Sequence, residues 1–465
     1  MQCGDQSSGN GAGTDRFDPS LYVRFRSTGW SFDERTGDAQ CSYALETADG
    51  RRVEFHEVFQ FPKVDRLALD VDRRRVLHRL LDHLAVVAGL SYYKLAAPAQ
   101  VIVEHGVWSE ADVAYHRALL SNGLGEFCWE NDLELLDPLW TFPVDQGSRT
   151  PRPIELSLPN GPLVPVGGGK DSCVTIEAMR RAGLVPTLVT VRRFPVIQDV
   201  ITASGLGDVA VARVIDPSLG PLVEHGALNG HVPVTAIVTW ASLIAALLGG
   251  HDAVVLSNER SASEGNVQYR GAEINHQWSK SAEAEVLLSG ALERVTPSLR
   301  SFSLLRGMSE LSIARRFAST CQRYFSTFSS CNGAFRSDPL RRVDRWDGTC
   351  AKCQFVFLAL ATVLDRREVE AIWGVDVFAS SSVAGFEALL GLSAWKPFEC
   401  VGESTECRVA LAMVSERDGW KGHPVVIALC AAVRGAGLWP TNSQREASLT
   451  PDAVVMPIPY ASVLP

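Results

Sequence analysis

Hydrophobic and polar residues alternate along the first part of the chain, from Leu21 to Phe61. Alternation with a period of two is typical of strands with one buried face, and turn-forming residues at 35–38 and 49–50 divide this run into three. The pattern predicts an antiparallel meander. Helical spacing of leucines and valines follows over residues 70–95, so we expect residues 21–152 to form an α+β domain. Residues 1–20, rich in Gly, Ser and Asp, are predicted to be disordered.

From about residue 153 the pattern changes to short, continuous apolar runs separated by helical stretches. Continuous apolar runs are typical of strands that are buried on both faces of a parallel sheet. We therefore predict an α/β fold, with a doubly wound parallel sheet over residues 153–375 and a helical C-terminal region over residues 376–465. The predicted strands are Leu163–Val166, Thr187–Val191, Val209–Val214, Ala253–Leu256 and Phe302–Leu305.

One predicted strand runs directly into a glycine-rich turn, Val166–Ser172, with the sequence VGGGKDS. Glycines let the backbone approach a phosphate closely, and the N-terminus of the helix predicted to follow attracts anions. Lys170 adds a positive charge, and Asp171 can hold Mg²⁺ or cap the helix. The spacing fits neither the GxGxxG dinucleotide fingerprint nor the Walker A loop. The predicted phosphate-binding residues are Gly167, Gly168, Gly169, Lys170, Asp171 and Ser172.

The turn resembles the pyrophosphate loop of the PP-loop ATP pyrophosphatases, whose usual form is SGGxDS. Gly168, Gly169, Asp171 and Ser172 match that form, and Gly167 stands where the family usually has Ser. The resemblance implies a PP-loop type of sheet, with ATP and Mg²⁺ as cofactors and cleavage of ATP between its α and β phosphates.

A long polar segment, residues 257–281, follows the fourth predicted strand of this region. A connection of this length inside a compact domain is usually functional, although a solvated insertion is the alternative. Because strand ends of a parallel sheet meet at one edge, we expect this segment to face the glycine-rich turn. Its candidate chemical groups include Glu259, Arg260, Glu264, Glu273, His276 and Lys280.

Four cysteines farther along the chain could bind a metal. Cys350 and Cys353 have CxxC spacing, and Cys331 and Cys321 lie upstream. Zinc or an iron–sulfur cluster uses such sets, with Cys331, Cys350 and Cys353 as the predicted ligands. A second CxxC pair is missing, which leaves redox-active or structural thiols as open alternatives.

Composition and charge narrow the range of partners. The 465 residues are 46% hydrophobic and 21% charged, as in ordinary globular proteins, and the net charge of −9 argues against a nucleic-acid partner. Residues 232–250 are apolar and nearly long enough to span a bilayer, but their proline and threonines favour a helix packed on the sheet. We expect no membrane insertion. With no signal-peptide pattern and no regular cysteine framework, a cytoplasmic location is predicted.

Several segments together resemble one family within the PP-loop superfamily. They are YYK near residue 93, GGGKDS, SNERSASEGN with the stretch at 273–276, and the CNG to CxxC region. They are similar to the UDP-N-acetylmuramoyl-L-alanyl-L-glutamate epimerases of bacterial peptidoglycan synthesis, from about residue 20 to about residue 440.

This resemblance implies inversion of a terminal L-glutamate to D-glutamate through an acyl-adenylate, with release of AMP and pyrophosphate. It also implies a nucleotide-linked peptidoglycan precursor as substrate and a functional link to the muramyl ligase that adds L-glutamate. The residues predicted to be catalytic are Lys170, Asp171, Glu259, Arg260, Glu264 and His276, with Glu273, Lys280 and Cys331 as further acid–base candidates. The competing hypotheses are a PP-loop enzyme of tRNA thiolation or deazaguanine synthesis, and a non-catalytic ATP-binding protein.

Overall fold

The computed structural model describes residues 16–63, 69–143, 152–336, 338–458 and 460–464. The strands are β1 (Tyr22–Asp33), β2 (Asp38–Thr47), β3 (Arg52–Gln60), β4 (Gln100–Val103), β5 (Leu139–Thr141), β6 (Leu163–Pro165), β7 (Thr187–Val191), β8 (Asp208–Val214), β9 (Ala253–Leu256), β10 (Val267–Tyr269), β11 (Ala272–Ile274) and β12 (Arg300–Ser303). The first eight helices are α1 (Val71–Tyr93), α2 (Glu110–Gly123), α3 (Gly125–Glu130), α4 (Lys170–Arg181), α5 (Pro195–Ser204), α6 (Leu219–Glu224), α7 (Val234–Gly249) and α8 (Ala282–Val295). The others are α9 (Glu310–Thr320), α10 (Ala351–Ala361), α11 (Arg366–Trp373), α12 (Val377–Ser380), α13 (Val383–Leu389), α14 (Ser404–Glu416), α15 (Pro424–Gly435) and α16 (Asn442–Ala447).

The predicted α/β class and the helical C-terminal region are confirmed. The strands form one sheet in the order β12-β9-β6-β7-β8-β3-β2-β1-β4-β5, and β10 pairs with β11 as a separate hairpin. The half from β12 to β8 is parallel throughout. The direction in which strands are added to this half changes at β6. Strands β7 and β8 lie on one side of β6, and the later strands β9 and β12 lie on the other. Such a switch in strand order is where ligands bind in open α/β sheets.

The sheet is mixed, which differs from the predicted parallel sheet with a separate α+β domain before it. Strand β3 pairs with β8 in antiparallel fashion, from Val58↔Val214 to Gln60↔Ala212, and so joins the N-terminal meander to the parallel half. The pairing covers two edges that would otherwise expose unpaired backbone groups. A buried ion pair between Glu57 and Arg213 crosses this junction. The hydrophobic pattern of each region does not reveal this contact, because it joins residues more than 150 positions apart.

Helices cover both faces of the parallel half, as predicted. Leu163 and Val254 point into the hydrophobic core shared with α1 and α7. Val164 and Val255, their neighbours along the strands, point into the core formed with α4, α9 and α10. Successive side chains of a strand point to opposite faces, so these continuous apolar runs need helices on both sides.

The last predicted strand is shifted along the chain. Strand β12 pairs with β9 from Arg300↔Ala253 to Ser303↔Leu256, two residues before the predicted Phe302–Leu305. Leu304 and Leu305 are fully buried in the turn that follows. Their hydrophobicity therefore reflects burial in a turn and not strand pairing.

The apolar segment at 232–250 forms α7, which packs on α1 and on strands of the parallel half. No helix within the described parts of the chain is both long and apolar enough to cross a membrane. Of the predicted disordered segment, residues 1–15 lie outside the described residues. Phe17 is buried and stacks on Tyr22 with ring centroids 4.8 Å apart.

Candidate active site

The glycine-rich turn lies at the switch in strand order, between the end of β6 and the start of α4. Gly168 adopts a φ of 83°, and a Cβ atom there would lie 3.0 Å from Val196 Cγ1, so the position favours glycine on both counts. Gly169 is the N-cap of α4 and has no side chain to bond the first backbone N–H groups. The N-terminus of α4 can therefore bind an anion.

A cavity of about 370 Å³ opens beside this turn, within the range of about 300–1,000 Å³ that is usual for ligand pockets. Its walls come from the glycine turn with α4, the polar segment, α9, the segment at 330–335 and α10. The titratable side chains that line it are Lys170, Asp171, Glu259, Lys280, Glu310, Lys352 and Cys400.

Three carboxylates and one lysine meet on the wall next to the glycine turn. Lys170 Nζ lies 2.5 Å from Asp171 Oδ1 and is also paired with Glu310, and both Lys170 and Glu310 are buried. Although burial opposes it, the carboxylates of Asp171 and Glu310 raise the pKa of Lys170. Carboxylate oxygens of Asp171, Glu259 and Glu310 lie within 4.8 Å of one another. We call these three residues the carboxylate cluster.

The carboxylate cluster can hold a divalent cation. Burial raises the pKa of Glu310 well above its ordinary value and also raises the pKa of Glu259. Three carboxyl groups this close carry more negative charge than one lysine offsets. Hard cations such as Mg²⁺ prefer oxygen ligands, so the residues present fit the predicted Mg²⁺.

A thiol and a lysine lie on another wall of the same cavity. Lys280 Nζ donates to Cys400 Sγ across 3.1 Å. Burial raises the pKa of Cys400, but the ammonium groups of Lys280 and Lys352 outweigh it and hold that pKa well below its ordinary value. The neighbouring ammonium groups therefore favour the thiolate form of Cys400, which is the reactive form of cysteine.

The structure brings only part of the predicted catalytic set together. Lys170, Asp171, Glu259 and Lys280 line the cavity. The other five predicted side chains have their contacts elsewhere. Arg260 lies near Glu403, Glu406 and Asp452, and Glu264 pairs with Lys396. Glu273 accepts from the Gly265 N–H, His276 pairs with Glu126, and Cys331 lies beside two other cysteines.

These outer contacts fasten the polar segment to the C-terminal helices and to α3. His276 also lies near His231, with ring centroids 4.3 Å apart. Burial lowers the pKa of His276, but Cys400 and Glu126 outweigh it and raise that pKa to about 9. His276 therefore supports the thiolate as a nearby positive charge.

Three titratable cavity residues, Glu310, Lys352 and Cys400, were not identified as candidates from the sequence. Glu310 begins α9, where an acidic residue is a common helix-stabilising choice and does not indicate a site. Cys400 lies in an irregular segment before α14, with no motif around it. No local sequence signal therefore marks Glu310 or Cys400 as a cavity residue.

The three cysteines that were predicted as metal ligands lie close together, and an aspartate lies beside them. Cys331, Cys350 and Cys353 lie together with Asp347, and their ligand atoms are all within 4.8 Å of one another. Cys321 is instead buried in the core formed around α9 and α10. The loop carrying Cys331 lines the cavity through its neighbours Ser330 and Asn332.

Comparison with known proteins matches almost the whole chain. The model of the MurL N-terminal domain matches residues 16–304, and that of the MurL C-terminal domain matches residues 327–444. A relative from Micromonospora sp. is 43% identical over 438 residues, covering 94% of this chain and 96% of its own. One from Salinispora tropica is 43% identical over 441 residues, covering 94% of each chain. One from Xanthomonas oryzae pv. oryzae is 39% identical over 412 residues, covering 88% of this chain and 90% of its own.

All three relatives are named UDP-N-acetyl-alpha-D-muramoyl-L-alanyl-L-glutamate epimerase. The two matched ranges contain every titratable residue that lines the cavity except Glu310, which lies between them. The chain belongs to the MurL family of UDP-N-acetyl-alpha-D-muramoyl-L-alanyl-L-glutamate epimerases.

Proposed function

We propose that this protein inverts the terminal L-glutamate of UDP-N-acetylmuramoyl-L-alanyl-L-glutamate to D-glutamate, with ATP consumed and AMP and pyrophosphate released. The observation that carries the proposal is one cavity with two kinds of wall. One wall has the glycine turn and the carboxylate cluster, and another has the Cys400 thiol group beside the Lys280 ammonium group. The first suits a phosphate and the second suits a proton transfer.

ATP is needed because the α-proton of a free carboxylate is hard to remove. Its loss would place further negative charge on a group that is already charged. In the proposed first step an oxygen of the substrate carboxylate attacks the α-phosphorus of ATP, the bond to the β-phosphate oxygen breaks, and pyrophosphate leaves. The product, an acyl-adenylate, no longer carries the carboxylate charge, so its α-carbon is more acidic.

The glycine turn and Lys170 would hold the departing pyrophosphate. Backbone N–H groups at the start of α4 and the Lys170 ammonium group stabilise charge that builds up on the leaving group. Mg²⁺, held by Asp171, Glu259 and Glu310, would supply further positive charge at that position. Positioning and charge stabilisation account for most of the catalysis of phosphoryl transfer.

The thiolate of Cys400 would then remove the α-proton of the acyl-adenylate. Lys280 favours the deprotonated form of Cys400, which can accept the proton, and a base positioned in this way typically contributes about 10² to 10⁴ in rate. Return of a proton to the other face of the α-carbon, from a titratable group of the same cavity that does not hold the Mg²⁺, completes inversion. Water then attacks the acyl carbon, and AMP leaves with the regenerated carboxylate.

The chemistry of the substrate and product indicates which reactions of peptidoglycan synthesis come before and after this one. A muramyl ligase that adds L-glutamate would supply the substrate, and a ligase that extends D-glutamate would consume the product.

The proposed function is tested with the purified protein, ATP, Mg²⁺ and UDP-N-acetylmuramoyl-L-alanyl-L-glutamate in D₂O. After acid hydrolysis, chiral chromatography with mass spectrometry should find D-glutamate carrying one deuterium, and pyrophosphate should form in proportion. ATP binding without inversion would contradict the proposal and favour a non-catalytic ATP-binding protein. Pyrophosphate release that depends on tRNA would instead favour the RNA-modifying alternative.

A further inference from the structure

The cluster of Cys331, Asp347, Cys350 and Cys353 has the dimensions of a site for one metal ion. Cys350 Sγ lies 3.9 Å from Cys331 Sγ and 3.6 Å from Cys353 Sγ. Tetrahedral zinc with bonds of about 2.3 Å to thiolates places its sulfurs about 3.8 Å apart. A disulfide would need about 2.05 Å. The two sulfur–sulfur distances therefore fit shared coordination and not a covalent bond.

Asp347 completes the set with an oxygen. Its Oδ1 lies 3.3 Å from Cys353 Sγ, and all four ligand atoms fall within 4.8 Å of one another. Ligand atoms this close surround a single ion, whereas an iron–sulfur cluster holds several iron atoms and sulfides between its ligands. Four protein ligands also leave no open position for substrate, which is typical of structural zinc sites.

The surrounding backbone orients these side chains for a cation. Cys350 is the N-cap of α10, where the helix N-terminus stabilises a thiolate. The backbone N–H of Cys350 donates to Asp347 Oδ1 at 3.1 Å, and that of Asp347 donates to Cys331 Sγ at 3.4 Å. Such hydrogen bonds hold first-shell ligands in position at metal sites.

We propose that Cys331, Asp347, Cys350 and Cys353 bind one Zn²⁺ ion that joins the 330–335 segment to the start of α10. Both pieces line the cavity, through Ser330 and Asn332 on one and Lys352 on the other. Ser329, the residue before this segment, contacts the glycine turn, since its backbone N–H donates to the Gly168 carbonyl oxygen at 2.9 Å. The ion would fix one wall of the cavity from outside it, and this role does not depend on which reaction the cavity performs.

The experiment measures metal in the full-length protein purified without chelators. Elemental analysis should find about one zinc and no iron per chain. Cobalt in its place should give the thiolate-to-metal charge-transfer band and the intense visible bands of a tetrahedral site. Cys350→Ser and Asp347→Ala should each lose most of the bound metal.

Cys321→Ser and Cys430→Ser are the matched controls, because both cysteines lie outside the cluster, and both variants should keep the metal. Circular dichroism establishes that each variant is folded, so that metal loss is not a result of unfolding. Three outcomes in folded protein would overturn the proposal: no zinc after incubation with Zn²⁺, iron with sulfide, or a disulfide between two of the three cysteines. Zinc content is independent of epimerase activity, so this test and the functional test fail separately.

Discussion

Replacing Lys170 by methionine tests the buried charge balance beside the glycine turn. The change keeps the length of the side chain but removes the ammonium group that is paired with Asp171 and Glu310. Asp171 is partly exposed and can gain water, whereas the side chain of Glu310 is only 4% exposed. Breaking a buried ion pair by removing one partner costs about 3–5 kcal/mol, because the other charge stays buried and unpaired.

The loss of unfolding free energy in the Lys170→Met variant should increase as the pH rises. Burial raises the pKa of Glu310, so in the Lys170→Met variant the folded state binds a proton that the unfolded chain releases near its ordinary pKa of about 4.3. This contribution to stability is fully present below that pH and is lost as the pH rises through the raised folded-state pKa. The cost of the substitution should therefore be largest at neutral pH and smaller at about pH 5.

Urea unfolding followed by tryptophan fluorescence measures this cost. At neutral pH the variant should lose about 3–5 kcal/mol of unfolding free energy, and the double variant Lys170→Met/Glu310→Gln should recover most of it. The double variant is the matched control, since it lacks both charges. Equal stability of the two variants, or a deficit that does not change with pH, would refute the buried charge pair. Neither variant should release pyrophosphate.

Two further substitutions separate chemistry from fold. Asp171→Asn should lower pyrophosphate release by at least about 100-fold in a coupled phosphate assay. The control Asp418→Asn changes an exposed residue and should leave the release unchanged. Full activity of Asp171→Asn would mean that the glycine turn does not bind the phosphates of ATP. Arg213→Met leaves the Glu57 carboxylate buried and unpaired at the β3–β8 junction, so it should lower the free energy of unfolding in urea by about 3–5 kcal/mol. Arg35→Met, which breaks an exposed ion pair, should lower it by less than about 1 kcal/mol. Equal costs for these two would mean that the junction does not contribute to stability.

Local features of this fold could be predicted from the sequence. The observed bounds of β6, β7, β8 and β9 lie within one residue of the predicted ones, because each strand is a short segment rich in apolar residues between turns. The glycine turn was placed as well, since the required backbone conformation restricts which residues can occupy it.

Contacts between distant parts of the chain could not be predicted. Glu310, Asp347 and Cys400 have no motif around them, and only tertiary packing brings them to their sites. The β3–β8 pairing is of the same kind, because either edge could have been covered by other strands. Arg260 and Glu264 were favoured by their place in a polar segment, but nothing local distinguishes a side chain that faces the cavity from one that holds the segment to a neighbour.

The proposed reaction consists of adenylation with pyrophosphate release, followed by proton transfer at the α-carbon. The Cys400→Ala variant tests most directly whether these two steps depend on different walls of the cavity. The variant should still release pyrophosphate from ATP and substrate, because the glycine turn and carboxylate cluster are unchanged. Deuterium incorporation at the glutamate α-carbon in D₂O should fall by about 10²- to 10⁴-fold, the usual contribution of a positioned base. Cys430→Ala, which changes a partly exposed cysteine outside the cavity, should retain both activities. Unchanged deuterium incorporation in Cys400→Ala would contradict the assignment of proton transfer to this cavity wall.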